Sequence, residues 1–412
     1  MLKVALLHYS SPPIVGGVES VIAHHARLMA DDSFQVEILA GRGKQTDPRI
    51  RFIHIPLMDS RQVRILEIKK QLDKGVVPDE FYALVEQLIS IFEEHLSGKD
   101  LIIAHNIASL NKNLPLTAAL EKYSQKAESP PLILWHHDLA WTTPRYQSEL
   151  HPGFPWDLLK SPWNHVTQVV VSALRQQELA NLYAIPLERI FVIPNGLDIP
   201  QFFKFENTTK LLSEKLNLMK AAPLLLLPVR ITPRKNIELA LRALIYLREI
   251  FPQAVLVVTG PLGPHNPANV EYFSQLTNLR RELHLAENAF FLADYSDDYL
   301  PDEVIADFYR LADALILPSK EEGFGIPVLE AGISGIPIFC SDIPPLRELG
   351  GDKAVYFSPD CDPQQAANLI IDRLFNDPVY NLRVSIRNEY SWERIYQTKI
   401  SPLLNDVITK KR

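Results

Sequence analysis

Short apolar runs that read as buried parallel strands alternate with helical segments along this chain, and halfway through the series starts again. In the first half the runs are Lys3–His8, Gln35–Leu39, Leu101–Ala104, Leu132–Trp135, Gln168–Val171 and Ile190–Ile193. The second series opens on Leu224–Leu227 and continues with Ala254–Val258, Ala289–Leu292, Ala314–Leu317, Ile336–Phe339 and Val355–Phe357. Between the runs, apolar residues recur at helical spacing, as at Val18, Val21, Ile22, Leu28 and Met29, or at Ile237, Leu241, Leu244 and Leu247. His25 falls on the apolar face of the first of these and reads as packed. Lys69–Leu96 reads as helical, covering one face of the first sheet. Parallel strands need long crossovers, which helices supply. The pattern predicts an α/β chain of two doubly wound, Rossmann-like domains, each with its ligand edge at the strand C-termini. Residues 1–198 make the first and 210–387 the second, joined at Asn195-Gly-Leu-Asp198 with irregular Ile199–Thr209 as linker. A last helix, about 388–412, need not stay with the second domain.

The bulk numbers narrow the function classes. A chain of 412 residues exceeds one ordinary core. A net charge of -7 argues against a generic nucleic-acid binder. The two cysteines, Cys340 and Cys361, suit a reducing compartment, and Cys340 sits in the apolar run Pro337-Ile-Phe-Cys340. Met1–Leu7 reads as a first strand, since Pro12-Pro13 and Gly16-Gly17 follow too soon for a signal peptide. No stretch approaches the ~20 apolar residues of a membrane span, and no basic amphipathic helix stands out. The expected location is cytoplasmic, with at most peripheral membrane attachment.

The chemistry concentrates in Pro318-Ser-Lys-Glu-Glu-Gly-Phe-Gly-Ile-Pro-Val-Leu-Glu330. The segment follows the strand Ala314–Leu317. It presents Glu322, then Gly323 and Gly325 with little side chain to block a ligand, then Pro327, suited to a first helical turn. Free N–H groups at a helix start favour a phosphate. Carboxylates at Glu322 and Glu330 can accept hydrogen bonds from sugar hydroxyls. Acidic residues are common in first helical turns for electrostatic reasons alone. An exposed Phe324 between two glycines has no such structural purpose, and it tips the reading toward a nucleotide-sugar site.

Three other constellations fall at strand C-termini. Arg230 and Lys235 follow Leu224–Leu227, and a planar guanidinium with a point charge suits a diphosphate. Taken alone they could be an exposed basic turn. Gly16-Gly17 follows the first strand and lets backbone approach an anion, although neither G-x-G-x-x-G nor a P-loop is present. His136, His137 and Asp138 end the fourth expected strand. A histidine there can contact a substrate hydroxyl, whereas neighbours on a strand end diverge too far for a metal, and no cysteine is near. His105-Asn106 is a second polar site on the same edge, with its role open.

Together these residues resemble the GT-B glycosyltransferases, specifically glycosyltransferase family 4. The likeness runs through Gly16-Gly17, His136-His137, Val170-Val-Ser172, Ile193-Pro-Asn-Gly-Leu-Asp198, Arg230 with Lys235, the Glu322–Glu330 element and Tyr390-Ser-Trp392. The element Glu-x7-Glu enclosing Gly-Phe-Gly-Ile-Pro is its most specific part. The resemblance implies a retaining, metal-independent hexosyl transfer from a nucleoside-diphosphate sugar to a hydroxyl acceptor: a saccharide, a small molecule or a lipid-linked glycan. Arg230 and Lys235 would hold the diphosphate, Glu330 the ribose, and Glu322 the transferred sugar beside Gly323, Phe324, Gly325 and Ile326. The first domain would hold the acceptor with Gly16 and a cleft histidine, either His137 or His136, while Gly17 would bind the donor, near its phosphate, or lie near the acceptor. The two domains would face a central cleft, and the final helix would cross back onto the first. No cofactor or resident metal is implied. Trp141, Arg145, Tyr146 and the loop Pro261–Pro267 are candidates for shaping specificity. The base, sugar, acceptor and oligomeric state leave no trace in the sequence. Rival readings are a nucleotide-sugar epimerase of the same layout and a non-catalytic sugar-binding protein. A dinucleotide oxidoreductase lacks its glycine fingerprint.

Overall fold

The computed structural model describes residues 1–262, 267–295 and 300–411. Two compact units emerge: Met1–Gly196 together with the segment from Trp392 onward, and Leu197–Ser391. The first unit is built on seven parallel strands: β1 (Lys3–His8), β2 (Gln35–Ala40), β3 (Arg51–His54), β4 (Leu101–His105), β5 (Leu132–His136), β6 (Val166–Val170) and β7 (Ile190–Val192). They lie in the order β3-β2-β1-β4-β5-β6-β7. The periodicity reading lacks β3, and the reason is physical. Arg51-Phe-Ile-His54 is an edge strand with no fully buried side chain, so it shows no continuous apolar run.

Both faces of this sheet are covered. Val21, Ile22, Ala26 and Met29 of the helix Gly17–Asp31 pack on one face with Trp392, Ile395, Leu403 and Leu404 from the terminal segment. On the other, Val63–Leu72, Asp79–Leu96 and Leu114–Ser124 bury Ile65, Phe81, Leu88, Phe92 and Leu120. The single helical stretch expected over Lys69–Leu96 is therefore two helices. Gly75 takes a left-handed φ of 78° between them, and Pro78 caps the second, where an N–H is not needed. The terminal segment runs Trp392–Ile395, one π-helical turn Tyr396–Ile400, then Ser401–Lys411. Its anchor is Trp392, stacked on His24 and edge-on to His25. A Cβ on Gly196 would lie 2.6 Å from the Trp392 ring, so that glycine is needed for the close approach.

The second unit carries β8 (Leu224–Leu227), β9 (Val255–Val258), β10 (Ala289–Phe291), β11 (Ala314–Leu317), β12 (Ile338–Ser341) and β13 (Val355–Phe357). All are parallel, in the order β10-β9-β8-β11-β12-β13. Cys340 is fully buried in β12, and burial pushes its thiol up to about 12. The stretch expected as an irregular linker is instead two short helices, Ile199–Phe203 and Asn207–Lys215. They are fastened to the second unit: Asp307 Oδ2 accepts from Glu206 N at 2.7 Å and from Thr209 Oγ1 at 2.8 Å, and Phe205 is buried. Side-chain hydrogen bonds from a distant helix have no local sequence signature.

In each sheet the winding direction reverses at the first strand, between β1 and β4 and again between β8 and β11. The crevice outside the strand C-termini at such a reversal is where doubly wound folds bind ligands.

Candidate active site

In the second unit the loops after β8 and β11 flank the reversal point, and they bring together residues far apart in sequence. The Lys235 Nζ lies 2.5 Å from Glu322 Oε1, and Ser319 Oγ donates to the same oxygen at 2.7 Å. Both charged side chains are largely sealed, at 10% and 7% exposure. Asn236, left-handed at φ 53°, staples this corner: its Nδ2 donates to Pro318 O at 3.0 Å and Pro359 O at 2.8 Å. Arg230 sits in the same loop after β8, with its side chain exposed. The adjoining loop after β9 runs alongside, with Ile231 N donating to Pro261 O at 3.1 Å. Gly260 permits this approach, since a Cβ there would fall 1.9 Å from Val229 O. Of the expected specificity loop Pro261–Pro267, residues 263–266 lie outside the described residues.

Gly325 caps the helix Ile326–Ser334 at φ 99°, a left-handed conformation that only glycine adopts without strain. A Cβ would also meet Leu346 Cδ2 at 2.6 Å, whereas one on Gly323 would meet nothing within 4 Å. No side chain caps the helix; Pro327 has no N–H and Val328 N donates to Gly325 O at 3.0 Å, so the Ile326 amide is the one left to face an anion. Phe324 and Ile326 stand exposed beside this helix start. Glu330, one turn further in, accepts from Tyr309 Oη at 2.6 Å, and burial together with this carboxylate raises the Tyr309 hydroxyl's pKa. The two line a groove of about 660 Å³ between the helices Asp302–Leu311 and Ile326–Ser334. Asn236, Ser319, Tyr309 and Gly260 were not anticipated from sequence. Only Gly260 had a local signal, a glycine two residues beyond an apolar strand.

The first unit's reversal point is flanked by Ser10–Gly17 after β1 and His105-Asn106 at the end of β4, and β5 ends beside them on His136-His137. Glu19 folds back over Gly16: Ser10 Oγ donates to its Oε1 at 2.5 Å, and a Cβ on Gly16 would fall 2.0 Å from its Oε2. A carboxylate therefore already faces this turn, which leaves Gly17 with open space before it. The two histidines diverge as neighbours on a strand end must. His136 is sealed, donating Nε2–H to Gln168 Oε1 at 2.7 Å. His137 turns the other way, with Nε2 3.2 Å from Nδ1 of His105. Asn106 Oδ1 accepts from His137 N at 2.7 Å and holds that backbone. Burial lowers His136 to about 4 and His137 to about 3, so both are neutral at pH 7. Among the described residues no three His, Cys, Asp or Glu side chains are grouped to hold a metal. Trp141 and Tyr146 carry cationic partners, Lys160 at 4.4 Å and Arg145 at 4.7 Å from the ring centres.

Comparison with known proteins follows the same division. Residues 15–201 match the model of Glycosyltransferase Family 4, and residues 209–390 match that of Glycosyl transferases group 1. The chain belongs to the GT-B glycosyltransferases of the family 4 type. Mannosylglucosylglycerate synthase of Petrotoga mobilis is similar to this glycosyltransferase, 25% identical over 83% of each chain. D-inositol 3-phosphate glycosyltransferase of Nocardia farcinica is 29% identical over 42% of this chain and 37% of its own length. Among solved structures, sucrose-phosphate synthase of Thermosynechococcus elongatus aligns over the full length of both chains at 17% identity and a TM-score of 0.37. As a member of this family the glycosyltransferase moves a glycosyl group from a nucleotide sugar. No helix among its described residues is long and apolar enough to cross a membrane.

Proposed function

We propose that this glycosyltransferase moves its sugar onto a hydroxyl acceptor with retention of anomeric configuration and without a resident metal. The second unit holds the nucleoside-diphosphate sugar and the first holds the acceptor. The observation that carries the reading is the sealed Lys235–Glu322 pair, 2.5 Å apart beside the uncapped start of the helix Ile326–Ser334. A buried ion pair is a poor source of stability, because desolvating both charges offsets most of their attraction. One placed at a reversal point beside the open Ile326 amide is better explained by a ligand of matching charge.

Breaking the anomeric C–O bond leaves negative charge on the diphosphate and oxocarbenium character on the sugar. Arg230, Lys235 and the helix start after Gly325, through its Ile326 amide and dipole, stabilise the first. Glu322 orients the sugar hydroxyls between Phe324 and Gly325 and offsets the Lys235 charge until donor arrives. Glu330, already a hydrogen-bond acceptor from Tyr309, takes the ribose hydroxyls. The acceptor attacks from the face the leaving group departs, and the leaving phosphate takes its proton. His137 contacts substrate in preference to His136, whose Nε2 is committed to Gln168. Glu19 over Gly16 makes that turn a better partner for acceptor hydroxyls than for a phosphate.

The test is a screen of nucleotide sugars against hydroxyl acceptors, with the product's anomeric configuration read by NMR and turnover repeated after chelation. Retention, undiminished turnover with chelator, and losses of about 10²–10³-fold in Lys235→Ala and Glu322→Gln are expected. Inversion, or near-normal turnover in both variants, removes the assignment.

A further inference from the structure

We propose that His105 is a positioning residue that fixes the proton of His137 on Nδ1, so that His137 meets a substrate oxygen as a neutral N–H donor. This rests on the reading that His137 touches substrate. The two rings share one hydrogen bond, His105 Nδ1 to His137 Nε2 at 3.2 Å. Between neutral imidazoles that bond has two possible directions. Were His137 Nε2 the donor, the one proton of His105 would sit on its Nε2. That atom is buried and has no hydrogen-bond partner. A buried donor without an acceptor costs about 1–3 kcal/mol, and orphaned N–H groups are rarer than under-used acceptors. His105 therefore donates from Nδ1, keeps Nε2 bare, and leaves His137 protonated on Nδ1.

The surroundings hold this arrangement in place. His8 donates its Nδ1–H to His105 O at 2.8 Å, so the backbone behind the ring is fixed. Asn106, left-handed at φ 55°, receives the amides of His137 and Asp138 on its Oδ1. His25 and Trp135 lie against the His105 ring at centroid distances of 5.5 and 5.6 Å. Burial, with His25 and His8 close by, opposes charging either member of the pair. The chemical consequence is specific. With Nε2 accepting from His105 and Nδ1 carrying hydrogen, His137 keeps no lone pair with which to deprotonate an acceptor hydroxyl. It can only donate.

The experiment uses the full chain with 15N-labelled histidine, and the His137 ring is assigned by comparison with His137→Gln. Two-bond proton–nitrogen correlations then show which ring nitrogen is bare. The expected result is Nδ1–H on His137 in the wild type, and a mixed or Nε2–H ring in His105→Leu. Turnover in that variant should fall about 10–100-fold with little change in donor KM. Asn places an amide N–H where the imidazole Nδ1 stood, so His105→Asn should restore the tautomer and most of the turnover. An Nε2–H ring in the wild type overturns the inference, as does a ring that ignores His105→Leu. If the tautomer follows His105 while His137→Gln retains full turnover, the tautomer assignment stands and the substrate contact of His137 falls.

Discussion

Removing the Lys235–Glu322 pair one side at a time, and then both together, separates its structural cost from its function. At 2.5 Å and an effective dielectric constant of 20 the gross attraction is about 7 kcal/mol, against several kcal/mol of desolvation for each ion. The net stabilisation is small, yet each partner is sealed enough that deleting the other strands a charge. Lys235→Met and Glu322→Gln should each destabilise the second unit by about 3–5 kcal/mol. The double variant strands nothing and should lose no more than either single variant alone, which makes the coupling energy at least about 3 kcal/mol. Turnover should remain low in all three. The two units can be read separately, because all five tryptophans lie in the first unit. Urea unfolding followed by tryptophan fluorescence reports that unit, and far-ultraviolet circular dichroism reports both. The variants should move only the dichroism transition. If the double variant loses the sum of the two singles, the pair is not a mutually compensated one and the reasoning fails.

Further outcomes follow from single positions. Gly325→Ala should cost about 2–3 kcal/mol in the dichroism transition from left-handed strain plus the Leu346 contact, while Gly323→Ala, with open space before it, should be close to neutral. Asn236→Gly keeps the left-handed backbone but drops two hydrogen bonds, so it should lose about 1–3 kcal/mol and raise the donor KM in steady-state kinetics. The buried imidazoles make the first unit acid-sensitive: burial depresses His8 and His136 to about 4 and His25 and His137 to about 3, against 6.5 unfolded. The unfolded chain then binds more protons below pH 6.5. Fluorescence-monitored stability should be full above that pH and fall toward pH 4, by about 1.4 kcal/mol per pH unit for each imidazole. His25→Leu removes a ring with no hydrogen-bond partner at either nitrogen, and it should flatten that slope without lowering stability at pH 7.

The two-sheet architecture was legible because ten of the strands are continuous apolar runs or nearly so, bounded by helical spacing. What escaped was set by distant partners. The strand at Arg51–His54 has polar ends and pairs at an edge. The residues Ile199–Thr209 look irregular because Asp307, about a hundred positions away, satisfies their backbone and hydroxyl groups. At the site, Glu322, Glu330, Arg230 and Lys235 announced themselves by residue type and loop position. The bond between Lys235 and Glu322 did not, because 87 residues separate them and only the β8–β11 adjacency brings their loops together. The same holds for His105 and His137. Each was visible as a polar strand end, but the direction of their shared hydrogen bond depends on an atom whose surroundings only the fold reveals.

The central claim is that a diphosphate is what the second unit recognises. Calorimetric titration of the full chain with a panel of nucleosides and their mono- and diphosphates measures it. Affinity should rise at least tenfold from monophosphate to diphosphate for the preferred base, and that increment should shrink severalfold in Lys235→Met/Glu322→Gln, where Arg230 and the helix start alone remain. Equal affinity for nucleoside and diphosphate, or an increment undiminished in the double variant, would contradict it.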